Sequence, residues 1–169
     1  VVTQRGIDQS DLRSVPPTLL DLAAPPPEWW PITEALHEKL FSWVSSEKTN
    51  QHLQVVITPP GDKMKVVLSQ LADYLDWRVI SPPRTDVILS GGDELLMQLQ
   101  LSDQSPLIFP NWEKFYLRHQ DGLTLMRGLL EWLESTQQKA IIGCNSISWA
   151  FLCKALQIDS RIPTPLTLD

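Results

Sequence analysis

The sequence predicts an α/β protein: a three-layer α/β/α sandwich around a mostly parallel sheet of about five strands, preceded by an extended arm rich in proline and tryptophan. Three observations carry that expectation. Short apolar runs, such as Leu53–Thr58 and Lys139–Gly143, alternate with longer stretches whose apolar residues recur at helical spacing. Runs of that kind suit parallel strands buried beneath helices on both faces. At 169 residues and 43% apolar content, the chain has the size of one domain with a full core.

Residues 1–31 form the arm. Pro16-Pro17 and Pro25-Pro26-Pro27-Glu28-Trp29-Trp30-Pro31 fix φ, remove donors and hold the preceding residues extended. Leu19, Leu20, Leu22 and the tryptophans suit packing across the domain, and a proline-rich ligand for an aromatic groove is the second reading. The α/β domain then spans 32–169. A helix is expected over 32–46 from Ile32, Leu36, Leu40 and Trp43/Val44, with Glu34, Glu38 and Lys39 opposite. The strand 53–58 leads through Pro59-Pro60-Gly61 to Asp62, a suitable N-cap, and a helix over 62–76 with Met64, Val67, Leu68, Leu71 and Leu75 on one face. Trp77–Ile80 reads as a second strand, closed by Pro82-Pro83.

The stretch 84–103 admits two readings. Val87–Leu89 and Met97–Leu101 flank Gly91-Gly92 as a β-hairpin would, or Asp93 caps a short helix over 94–101. The helix formers Glu94, Leu95, Leu96, Met97 and Gln98 favour the helix. Pro106–Phe109 reads as a strand stopped by Pro110, with a short helical turn near 112–118. A helix over 121–135 follows, striped by Leu123, Met126, Leu129, Leu130 and Leu133. Lys139–Gly143 is the next strand, and Asn145 or Ser146 caps a helix to Leu156 that carries Trp149, Leu152, Cys153 and Leu156 inward. A last short strand falls within 162–168.

Bulk properties exclude several function classes. Fourteen basic against twenty acidic residues give a net charge of −6, which argues against a phosphate-backbone binder. No apolar run reaches the length of a membrane span, and the first residues lack the pattern of a signal peptide. Without an initiator Met, the chain reads as processed, trimmed or a piece of a longer protein. Cys144 and Cys153 are too few for a disulfide framework, so a reduced, cytoplasmic setting is expected. His37, His52 and His119 are scattered, and no metal site is expected. There is no Gly-x-Ser-x-Gly elbow and no His-Glu-x-x-His. Arg118, His119 and Asp121 fall at a helix junction and suit a cap or a surface contact.

In parallel sheets, ligands bind beyond the carboxyl ends of the strands. Three such ends hold candidate residues. After the first strand, Gly61, Lys63 and Lys65 occupy the setting of a phosphate loop, where bare N–H groups, a helix N-terminus and a lysine face an anion. Yet the loop holds one glycine and two donor-less prolines, and Lys63 is not followed by Ser or Thr. After 106–109, Pro110 and Asn111 stand where metal-holding carboxylates are needed, and Glu113 comes later; Trp112 is expected to pack on the sheet edge. After 139–143, Asn145 suits a phosphate-sensing amide or a plain helix cap, and Cys144 a nucleophile that no recognisable His or Asp serves.

Strand 53–58 with its loop, strand 106–109 with Pro110-Asn111 and strand 139–143 with Asn145 together resemble the P-loop NTPases of the AAA+ kind over roughly residues 32–169. In that superfamily a Walker A loop follows the first core strand, a Walker B acidic pair ends a later one and a sensor Asn ends the next. Asn145 matches its family residue type in place; the Walker A and Walker B residues are absent. The resemblance implies a degenerate, nucleotide-free relative, and an unrelated sheet with the same alternation fits the pattern as well.

The expected function is a non-catalytic interaction or regulatory domain without cofactor, with a protein partner or a second copy of itself, no nucleic acid and no membrane insertion. The alternative is a nucleotide- or phosphate-ester-binding enzyme using Gly61, Lys63, Lys65, Asn111, Glu113 and Asn145. A phosphate-free small-molecule binder is a third reading that sequence does not separate from the first.

Overall fold

The computed structural model describes residues 34–47, 51–61, 63–158, 162 and 164–167. The expected arm over 1–31 and the Asp62 cap lie outside these residues. Among them the chain runs α1 (Glu34–Ser45), β1 (Leu53–Thr58), α2 (Lys63–Leu75), β2 (Arg78–Val79), α3 (Thr85–Leu89), α4 (Asp93–Leu101), β3 (Leu107–Phe109), a 3₁₀ turn (Trp112–Phe115), α5 (Gln120–Thr136), β4 (Ala140–Asn145), α6 (Ser146–Leu156) and β5 (Leu166–Thr167). The five strands form one sheet in the order β2-β3-β4-β1-β5, and every pair is parallel.

Strand alternation divides the core in two. Val56, Ile108 and Ile141 face α1 and α2, packing with Leu40, Phe41, Trp43, Leu68 and Leu71. Leu53, Val55, Leu107, Phe109, Ile142 and Cys144 face the other way, against α3 to α6 and the 3₁₀ turn. Both sides of the central strands are therefore buried, which is why their sequences are nearly all apolar. Lys139, just ahead of β4, ties the sheet to the end of α1. Its Nζ donates to the Val44 and Ser46 carbonyls at the end of α1, at 2.5 and 2.8 Å, and lies 5.0 Å from the centre of the Trp43 ring. A cation capping the carbonyl end of a helix is favoured by the helix dipole as well as by the hydrogen bonds.

The favoured helix over 94–101 is present as α4, Asp93–Leu101, with a further short helix, α3, where the hairpin reading had a strand. Other expectations change. The N-cap of α4 is Gly92 in the left-handed region (φ 75°), not Asp93, which begins the helix. The second strand shrinks from 77–80 to Arg78–Val79, an exposed edge paired with β3 alone. Trp112 is not at the sheet edge; it is fully buried with Phe109 and Phe115, its ring perpendicular to Phe109 at 5.3 Å. A large aromatic directly after a proline-stopped strand has turned inward, where its area contributes most.

Candidate functional site

The geometry beyond the strand ends follows from where β3 stops. Phe109 pairs with Ile142, whereas β4 runs on to Asn145 level with Thr58 of β1. Pro110 ends β3 because it has no N–H to continue the ladder. Gly143 lets the chain leave there: a Cβ on it would stand 2.9 Å from the Pro110 carbonyl oxygen and 2.3 Å from Leu68. The 3₁₀ turn then packs on β4 and α5.

Between that turn and α6 lies a cleft of about 580 Å³, lined by Glu113, Tyr116, Leu117, Arg118, Ile147 and Phe151 among others. Tyr116 and Phe151 stack across it, with ring centres 5.3 Å apart and planes tilted by 35°. Its outer wall is held in an uncommon conformation. Leu117 and Arg118, neither of them glycine, both have φ of 50°. The turn can sit there because Gly122, early in α5, has no side chain: a Cβ on it would lie 1.9 Å from the Tyr116 carbonyl oxygen. That oxygen accepts from the His119 N–H at 3.1 Å. His119 in turn caps α5, its Nδ1 accepting from the Asp121 N–H at 3.2 Å, so the helix junction is a cap.

At the inner end of the cleft Glu113 meets Cys144. The thiol is pushed well above its ordinary value, first by burial and then by the Glu113 carboxylate, against a smaller opposing influence of the Glu113 backbone. Cys144 is 1% exposed, so it is held as a neutral thiol away from solvent, the opposite of an activated nucleophile. Oε2 of Glu113 is buried without a hydrogen-bond partner.

The remaining candidate residues fall elsewhere. Asn145 is the N-cap of α6: its side-chain oxygen accepts from the Ser148 N–H at 2.8 Å. Thr58, opposite it, donates to the Cys144 carbonyl at 3.4 Å. Asn111 is buried ahead of the 3₁₀ turn and gives it no side-chain cap. Gly61 is exposed in the loop after β1, with φ of 137°. Lys63 begins α2, and Lys65 is exposed on it. Since α2 covers the opposite face of the sheet from Cys144 and its partner Glu113, Glu113 is the member of this set that lines the cleft.

No family model and no curated protein matches this chain.

Sequence reasoning passed over Ile147 and Phe151, although a signal was present. Trp149, Leu152 and Leu156 account for the buried stripe of α6. Two large apolar residues one helical turn apart stand off that stripe, 72% and 48% exposed. The conformation of Leu117 and Arg118 had no such signal, because neither is a residue type that favours positive φ. Among the described residues, no group of three or more His, Cys, Asp or Glu could hold a metal ion, and no helix is long and apolar enough to cross a membrane.

Proposed function

We propose that this chain is a non-catalytic interaction or regulatory domain, an NTPase-like α/β sheet without the machinery for nucleotide chemistry. One observation carries the reading. Above the ends of β3 and β4, the space is walled by Tyr116, Leu117, Ile147 and Phe151, and the nearest thiol, Cys144, is buried and held neutral beside Glu113. Phosphoryl transfer needs convergent N–H donors and carboxylates able to hold Mg²⁺ around the phosphate, whereas the cleft sets the cations Lys114 and Arg118 beside a single carboxylate, Glu113.

Other features support the same reading. Pro59 and Pro60 offer no N–H after β1, Pro110 and Asn111 offer no charge after β3, and the Asn145 oxygen is engaged by its own helix. The likeness to an NTPase layout draws support from the parallel order, since β4 between β1 and β3 sets three chain exits side by side. Isothermal titration with ATP or GTP and Mg²⁺ tests the proposal. The expected result is no saturable heat and no released phosphate at millimolar nucleotide; micromolar binding with hydrolysis would overturn it.

A further inference from the structure

The cleft is open rather than enclosed, since Ile147 on its wall is 72% exposed and Leu117 40%. Small-molecule sites bury about 70–90% of their ligand, and a groove with walls this exposed suits a chain segment better. Its apolar residues are contiguous across two elements, unlike the scattered apolar groups of an ordinary surface. Its charge is equally distinctive. In a chain of net charge −6, the two cations lining the cleft are Lys114 and Arg118. Neither is in an ion pair among the described residues, where Arg84–Asp86 is the pair found between full charges. The acid within the cleft, Glu113, stands beside the buried Cys144 thiol, and its Oε2 is buried away from solvent. The wall bearing Arg118 is already fixed by its packing on Gly122, so a partner would meet a preorganised surface.

We propose that this cleft docks an acidic, amphipathic segment of a partner protein, seating one large apolar side chain beside Tyr116 and Phe151 while flanking carboxylates pair with Lys114 and Arg118. The proposal rests on the reading of the domain as an interaction module and adds the site and the chemistry of its partner.

The probe is a displayed library of random dodecapeptides selected on the folded protein and counter-selected on Phe151→Asp. That position is half exposed, and equal melting of variant and parent checks that the variant folds. Selected peptides should carry Leu, Phe or Trp flanked by Asp or Glu. By fluorescence polarisation the best of them should bind at least about tenfold more weakly to Phe151→Asp, as for a buried anchor. Lys114→Glu and Arg118→Glu should each weaken it by roughly two- to fivefold or more at low salt, with the difference shrinking as salt rises. The docking site is overturned by peptides without acidic enrichment, by binding indifferent to these variants, or by no enrichment at all. Self-association lost in Phe151→Asp, without peptide selection, would assign the cleft to a second copy and overturn it too. Nucleotide hydrolysis would instead remove the non-catalytic reading, so the two failures are distinguishable.

Discussion

Replacing Gly122 by alanine tests the packing that shapes the cleft. Within a helix, alanine is normally better than glycine by about 1 kcal/mol, so the ordinary expectation is a more stable protein. Here the added Cβ would stand 1.9 Å from the Tyr116 carbonyl oxygen, 2.5 Å from its carbon and 2.8 Å from the Phe115 carbonyl oxygen. All three atoms are backbone, so no side-chain rotation relieves the clash. Ordinary contact begins at 3.4 Å, and the turn must therefore retreat by about 1.5 Å. That turn carries Leu117 and Arg118 at positive φ and the His119 N–H bond to Tyr116, all of which a shift would disturb. Overpacking of this kind costs typically about 1–3 kcal/mol, and the weak propensity gain near a helix start offsets little of it. The expected loss is about 1–3 kcal/mol, or roughly 2–4 °C in Tm for each kcal/mol in a chain of this size. Urea unfolding followed through the seven tryptophans measures it. Gly128→Ala is the control, since its Cβ would meet only the movable Leu96 side chain, at 3.0 Å; it should stay within about 1 kcal/mol of the parent. Gly122→Ala as stable as the parent would refute the close approach and, with it, the account of the cleft wall.

Other expected outcomes follow from two described groups with shifted protonation, Cys144 and Lys139. Cys144 should resist maleimide in the native protein and react only as the protein unfolds, which thiol counting with and without urea resolves. Its folded pKa is raised, so the unfolded chain loses its proton first. Stability from this group is complete below the ordinary thiol value of 9.0 and declines as pH rises beyond it, and Cys144→Ala should abolish that decline. Lys139 runs the other way: burial lowers its pKa, so the unfolded chain holds the extra proton and stability rises with pH in the window just below 10.5. Lys139→Met should remove this rise. At neutral pH the same variant should cost about 1–2 kcal/mol by freeing the end of α1, read from denaturant midpoints.

Much of the fold was legible in local chemistry. Apolar runs marked β1, β3 and β4, with prolines closing the first two, because strands buried on both faces must be apolar throughout. The stripes of α2, α5 and α6 were visible because a covering helix buries one face only, and Asn145 carried its capping role in its residue type. Where the physical cause was not local, the sequence was mute. The length of β2 depends on pairing with β3 at the sheet edge, not on Trp77–Ile80 themselves. Trp112 went to the core because Phe109 and Phe115 left room for it there. The cleft exists because β3 stops short of β4, because Gly122 admits the 116–118 turn, and because α6 sets Phe151 against Tyr116. Sequence by itself thus determined the layers and denied the strand ends the residues of phosphate chemistry, since composition and periodicity are properties of the chain. Only the tertiary structure decided which residues share a surface: contact between segments so far apart in sequence follows from packing, which no local pattern encodes.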